Sequence, residues 1–257
     1  LHTIEKIKDF LKKLNQIKFI IVPEERVSDK RLFGPHIKVF DKFDIYNSTS
    51  EGPVAVDKNN LFYILYTSGT TGLPKGVMVT NENVDVFLEN TKSFYNLKIG
   101  FKASQAFDLS FDGSVGDIYL TLMNGGEICI LSETELLMPY NYIQREQLNL
   151  WYSVPTLANL MLKMGYLTPN SFPSLEYSIF GGEPLPQKLA DAWQLAAPNS
   201  TIENSYGPTE ATVAITRFNY TKKYSNKRFK NGILPIGNVF NKQSFTIINK
   251  DFSEVKI

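Results

Sequence analysis

Apolar positions along the chain fall into two kinds of run that alternate for most of its length. Ile4, Ile7, Leu11 and Leu14 recur at helical spacing and predict an amphipathic helix over residues 3–14. Short apolar runs at 17–22, ended by Pro23, and at 37–40 read as buried strands. Two further runs, 61–66 and 77–80, flank a polar loop. A helix is predicted over 82–95, where Val84, Phe87, Leu88, Thr91 and Phe94 share one face. Val115, Ile118, Tyr119 and Leu122 mark another helix, ended by Gly125-Gly126, and 127–131 follows as a strand. Residues 155–164 read as helix and 175–180 as a strand running into Gly181-Gly182. Pro184 and Pro186 open a helix whose face carries Leu185, Leu189, Ala192, Trp193 and Ala196. Segments 201–206, 211–218 and 244–248 complete the strands. Alternating strands and helices predict an α/β fold, with layered mixed or parallel sheets flanked by helices.

Ligands in such folds sit at the carboxyl ends of strands. The three most unusual loops, after Tyr66, Phe180 and Tyr206, all follow strand runs, which predicts one composite site. The first reads YTSGTTGLPKG over residues 66–76. Its glycines let backbone N–H groups converge, Thr67, Ser68, Thr70 and Thr71 add hydroxyls, and Lys75 adds a mobile positive charge. That combination suits a polyphosphate. The Walker arrangement requires Gly-Lys-Ser/Thr, whereas Lys75 stands between Pro74 and Gly76.

The third loop reads NSYGPTEAT from Asn204 to Thr212. It groups an aromatic face, a hydroxyl and a carboxylate within five residues of a strand end. Tyr206 could stack on a purine, Thr209 could donate to a phosphate, and Glu210 could hold a hard cation such as Mg²⁺. In FGGEPL, residues 180–185, Gly181 and Gly182 leave the backbone open to a flat ligand. The segment FDLSFDGSVG, 107–116, carries Asp108 and Asp112.

Composition narrows the field. The chain has 257 residues, 43% of them apolar, enough for a substantial core. With 27 basic and 26 acidic residues it has no field suited to nucleic acid or an anionic membrane. The one basic cluster, residues 221–232, lies between strand runs and reads as a solvated loop. No apolar run approaches the roughly 18 residues of a membrane span. Glu5, Lys6, Lys8 and Asp9 interrupt any signal-peptide core. The single cysteine, Cys129, cannot form an internal disulfide and reads as a buried strand residue, in keeping with a reducing cytoplasm. The two histidines, His2 and His36, lie away from the motifs, which excludes a Ser/His/Asp triad or a histidine metal site.

Taken together, YTSGTTGLPKG and NSYGPTEAT resemble the signature strings of adenylate-forming enzymes, in their amino-acid-activating branch of peptide-synthetase adenylation domains. LFYILYTSG, LNLWYSVPT and NSYGPTEATVAIT are most similar to D-alanine–carrier protein ligases. The resemblance implies ATP-dependent formation of aminoacyl-AMP and pyrophosphate, then transfer to the phosphopantetheine thiol of a carrier protein. It implies a nucleotide site of Thr67, Ser68, Gly69, Thr70, Thr71, Gly72, Lys75, Gly181, Gly182, Glu183, Asn204, Tyr206, Gly207 and Thr209. Within it, Asn204 would face the adenine edge, Thr209 the α-phosphate and Glu210 the Mg²⁺, with Lys75 helping to hold the β- and γ-phosphates. Asp112, not Asp108, falls at the position of the acid that pairs with a substrate α-ammonium; fatty-acid-activating relatives lack it. The wall of the side-chain pocket would be Gly113, Gly116, Tyr152, Ile179, Gly181, Ser205, Val213 and Ala214. Because Gly116 and Gly181 replace larger residues of the D-alanine branch, the expectation is a roomy pocket and a substrate larger than alanine.

The resemblance also implies that the chain is the central part of a large core domain. Residues 1–57 would end the first subdomain, 58–218 would bind nucleotide and substrate, and 219–257 would begin a β-rich subdomain. A ribose-binding aspartate, a hinge and a lid domain with its catalytic lysine would lie beyond Ile257. Two competing expectations remain: an acyl-CoA synthetase, indifferent to loss of Asp112, and a non-catalytic nucleotide-binding module.

Overall fold

A computed structural model of the chain describes residues 13, 16–23, 26–49, 52, 54–68, 72–224 and 229–255. The helix expected over 3–14 lies, except for Lys13, outside the described residues, as do Gly69, Thr70 and Thr71. The chain divides into two compact units, Leu1–Ala55 and Val56–Ile257.

In the first unit, β1 (Phe19–Val22) and β2 (Lys38–Asp41) pair in parallel. Val22, Val27, Phe33, Ile37 and Val39 form its small core. Asp41 caps the short helix Lys42–Tyr46 and also accepts the Val27 N–H at 3.1 Å. His36 lies exposed in this unit.

The second unit holds an antiparallel hairpin, β3 (Leu61–Thr67) with β4 (Lys75–Thr80). It also holds a seven-stranded sheet. The sheet contains β5 (Lys102–Gln105), β6 (Glu127–Ile130), β7 (Leu150–Ser153), β8 (Tyr177–Phe180), β9 (Thr201–Tyr206), β10 (Thr216–Tyr220) and β11 (Asn238–Val239). Its order is β11-β10-β9-β8-β7-β5-β6. β5 to β9 run parallel, while β10 and β11 are antiparallel to their neighbours. The fold is thus α/β with a mixed sheet, as the pattern of runs predicts.

Alternation along the central strands sends side chains to two cores. Trp151, Phe180 and Ile202 enter one, beneath helices Pro155–Lys163 and Gln187–Ala196. Leu150, Tyr152 and Ile179 enter the other, shared with helix Asn81–Lys92 and with Val79 of the hairpin. Thr80 caps that helix in a reciprocal box with Asn83. The helix expected near Val115 is built as Gly113–Val115, a π turn Gly116–Leu120, and Thr121–Met123. Cys129 is buried on β6, as expected.

Some expectations need correction or sharpening. The loop after Tyr66 does follow a strand, β3, but that strand belongs to a separate hairpin and not to the seven-stranded sheet. The run 211–218 is not one strand: it is a 3₁₀ turn, Thr209–Ala211, then a reversal, then β10. The reversal uses Thr212 and Val213 at φ 62° and 65°, and it turns β10 antiparallel to β9. The run 244–248 forms only an isolated bridge, Ile248 to Glu254, because its apolar side chains meet no facing layer and Phe245 and Ile248 stay exposed. The basic segment 221–232 is more than a solvated loop: among its described residues, Tyr224 and Phe229 pack against Phe218 and Tyr220.

Trp193 anchors the first of the two cores. It is fully buried, donates its indole N–H to Ser178 Oγ at 2.8 Å, and packs against Trp151, Phe172 and Phe180. Trp193→Ala is expected to cost about 3–5 kcal/mol in urea unfolding followed by Trp151 fluorescence. A loss below about 1 kcal/mol would contradict this packing, since surface substitutions give that little.

Candidate nucleotide and amino acid site

β8 and β9 are parallel neighbours, so their carboxyl ends, Phe180 and Tyr206, open side by side. Each strand is followed by glycine. Gly182 has φ +82°, a conformation that side chains resist. A Cβ on Gly181 would sit 3.3 Å from Ser205 O and from the Tyr152 hydroxyl. Between the ends lies a cavity of about 440 Å³, lined by Gly182, Glu183, Pro184, residues 204–208, Ile233, Leu234 and Ile236. Its size falls in the range of small-ligand sites. Tyr206 presents its ring to it while 46% exposed.

The cavity walls are fixed by their own hydrogen bonds. The Asn204 amide nitrogen donates to Leu234 O and Pro235 O at 3.3 and 2.9 Å, which tethers the 233–236 segment. Glu183 accepts from Thr156 N–H and Oγ at 3.0 and 2.6 Å, at the first turn of helix Pro155–Lys163. Pro184, Ile233, Leu234 and Ile236 were not expected from the sequence; the apolar run ILPIG was the available signal.

Beyond Tyr206 the chain passes very close to itself. A Cβ on Gly207 would lie 2.5 Å from Ala214 Cα and 2.8 Å from Val213 O. The approach is stabilised from across the site, where Asp112 Oδ2 accepts the Val213 N–H at 3.3 Å. Val213 is β-branched and held at positive φ, which is local strain of the kind functional sites store. Burial raises the Asp112 carboxyl above its ordinary value, opposed by the Val213 N–H and the Thr209 hydroxyl. Among the described residues no cation pairs with Asp112. Tyr63 of β3 lies near enough for the Asp112 charge to raise its phenol further, after burial, and its hydroxyl is buried without a hydrogen bond. Asp108, by contrast, is exposed and closes a local turn with Ser110.

The hairpin joins this site through shared packing. β4 contacts the turn Thr209–Ala211, and Phe62 meets Tyr119 edge to face at 5.0 Å. Thr67 ends β3 half-buried, Ser68 and Lys75 are exposed, and Gly72 has φ +82°. Glu210 is exposed beside a cavity of about 350 Å³ that Asn83, Thr212 and Ser244 also line. Among the described residues no group of three or more His, Cys, Asp or Glu side chains could hold a metal by itself.

A model of the AMP-binding enzyme family matches residues 2–255. The chain belongs to that family. Among similar relatives, the D-alanine–D-alanyl carrier protein ligase of Bacillus cereus (strain G9842) is 34% identical over 186 residues, 71% of this chain and 36% of that protein. The Bacillus licheniformis ligase of the same name is 32% identical over 204 residues, 78% of this chain and 40% of that protein. This member of the AMP-binding family therefore spans well under half the length of these relatives. The Vibrio cholerae adenylation domain AlmE, solved with glycyl-adenosine-5'-phosphate, superposes with a TM-score of 0.84 at 29% identity. That match covers 98% of this chain and 47% of AlmE. IdnL7 matches with a TM-score of 0.75 and 26% identity, over 87% of this chain and 44% of its own.

Five of the eight residues expected to line the side-chain pocket share one cavity, while Gly113, Gly181 and Val213 do not line it. Gly116, Tyr152, Ile179, Ser205 and Ala214 surround a cavity of only about 10 Å³. The expected roominess is corrected by Tyr152, whose ring occupies the volume that Gly116 and Gly181 leave free. Gly113 is glycine for another reason: a Cβ there would meet the Phe107 ring at 2.7 Å. Two buried acids in this region were also not expected. Asp117 accepts the Ala106 and Phe107 N–H groups at 2.9 and 3.0 Å and so holds the Phe107 loop. Its signal was an acid on the same helical face as Gly113, Gly116 and Leu120.

Glu203, on the buried side of β9, accepts from the Tyr95 hydroxyl at 3.0 Å and from Arg217 at 3.3 Å. Burial pushes its carboxyl up to about 7, with Arg217 and Tyr95 opposing. The folded chain therefore keeps the proton to about 7 and the unfolded chain only to 4.5. Stability from the protonated form is present below 4.5 and lost as pH rises through 7. Asp112 and Asp117 are raised by burial and act in the same direction. Thermal melts across this window should show Glu203→Gln flattening part of the decline; an unchanged slope would contradict the assignment.

Proposed function

We propose that the protein carrying this chain activates an α-amino acid with ATP, forming aminoacyl-AMP and pyrophosphate. The observation that carries this reading is Asp112. A half-buried carboxylate without a cation is costly, and a substrate α-ammonium would satisfy it. It stands across the Val213 contact from a strand-end cavity of nucleoside size. The names of the relatives support the same chemistry: carrier protein ligases on one side, an adenylation domain holding a glycyl-adenylate on the other.

In this reading the adenine occupies the cavity between Gly182 and Ile236, with Tyr206 against its face and Asn204 and Gly207 at its edge. Ser68, Thr70, Thr71 and Lys75 hold the β- and γ-phosphates, with Thr67, Gly69 and Gly72 belonging to the same nucleotide-binding loop. Thr209 contacts the α-phosphate. The substrate carboxylate oxygen attacks the α-phosphorus; an O–P bond forms, the bond to the β-phosphate bridge breaks, and pyrophosphate leaves with that electron pair. No proton need move. The residues contribute position and charge neutralisation.

Glu210 fits a Mg²⁺ that takes one carboxylate and otherwise phosphate and water oxygens. When bound, that ion would neutralise charge developing on the phosphates. The activated acyl group would then pass to the phosphopantetheine thiol of a carrier protein, a partner that the relatives' names support.

The test is ATP–pyrophosphate exchange with the full natural chain over all amino acids. Asp112→Ala should lower amino-acid-dependent exchange on the order of 100-fold, as expected for losing one partner of a partly buried charge pair. ATP affinity measured by calorimetry should change little. Undiminished exchange in Asp112→Ala would instead fit an acyl-activating enzyme and contradict the assignment.

A further inference from the structure

We infer that this protein selects glycine, and that Tyr152 is the residue that excludes every amino acid with a larger side chain. The inference rests on the amino-acid-activating reading above and deepens it. Tyr152 stands in β7, 7% exposed, between the helix that begins at Gly113 and the end of β8. One edge of its ring is so close to Gly116 that a Cβ there would lie 3.0 Å from Cε1. The other edge and the hydroxyl face Gly181, where a Cβ would lie 3.3 Å from the oxygen. The two glycines thus make room for the tyrosine and not for a substrate side chain. What remains beside the ring is about 10 Å³, about the least volume that holds a single water.

The ring has nowhere to retreat. Phe107 packs on it edge to face at 4.7 Å. Phe107 is itself pressed against Gly113, and its backbone is held by the buried Asp117 carboxylate. Nor does the floor ask for a polar side chain. Glu203 is taken up by Tyr95 and Arg217, and the Thr91 hydroxyl donates to Phe87 O and Leu88 O at 3.0 and 3.1 Å. A substrate carrying only hydrogen at its α-carbon meets these limits, while its ammonium remains free to reach Asp112.

Exchange by the natural chain should favour glycine over alanine by about tenfold or more, the worth of one methyl group in a fitted pocket. Leucine and phenylalanine should give only background. Tyr152→Val should reverse the order, raising exchange with a four-carbon or larger side chain at least about tenfold relative to glycine. Should that variant melt far below the wild type, binding of glycyl-, alanyl- and leucyl-sulfamoyl adenosine to the wild-type chain decides the matter. Tightest binding of the glycyl analogue supports the inference. Equal use of alanine, or preference for a larger amino acid, overturns it while leaving amino acid activation intact. Exchange with no amino acid and binding of no analogue overturns both.

Discussion

The functional half of this fold depends on one steric constraint, the contact of Gly207 with the backbone of Val213 and Ala214. Because residue 207 has no side chain, the chain leaving β9 can turn back and lie against itself. Any Cβ would meet main-chain atoms, which cannot rotate away. The turn places Val213 N–H before Asp112, puts Ala214 beside Ile179, and starts β10 antiparallel to β9. Without that approach, the nucleotide-sized cavity and the small pocket would not share a wall. Positive φ at Thr212 and Val213 is the strain that accompanies this geometry.

Around that contact the protein keeps buried acids that a purely stable core would avoid. Asp117 uses one oxygen to fix two backbone amides and leaves the other buried without a partner. Glu203 is paired with Tyr95 and Arg217, and the guanidinium in turn lies 3.6 Å over the Phe94 ring. Asp112 is less buried than the other two and accepts the Val213 N–H across the reversal. In the reading proposed above, Asp117 and Glu203 hold the site and Asp112 reads the substrate. Apolar cores on both sheet faces, centred on Trp193 and on Phe87 with Tyr152, provide the rigidity against which these costs are set.

Much of this was legible in the sequence, for identifiable reasons. Motifs at strand ends announce themselves, since glycines, hydroxyls and single charges cluster where the hydrophobic pattern stops. Long amphipathic helices such as Asn81–Lys92 and Gln187–Ala196 were equally plain. The central strands β5 and β7 were not. Lys-Ala-Ser-Gln has no apolar pattern, because small buried residues suffice where strands pack on both sides, and Leu-Trp-Tyr-Ser is buried throughout and so does not alternate. The reversal at Thr212–Val213 was hidden because its two residues carry none of the usual turn chemistry. The pocket was misread for a related reason. A glycine in a string signals missing volume, but only three-dimensional packing tells whether ligand or protein fills it, and here Tyr152 does.

The central claim is that the two strand ends and Asp112 form a single site for an aminoacyl adenylate. A crystal structure of the natural chain with glycyl-sulfamoyl adenosine tests it most directly. The account predicts the base between Gly182 and Ile236 against Tyr206, and the glycyl ammonium about 3 Å from the Asp112 carboxylate, at hydrogen-bond distance. A base bound elsewhere, or an ammonium paired with a different acid while Asp112 keeps only its Val213 N–H, would contradict it.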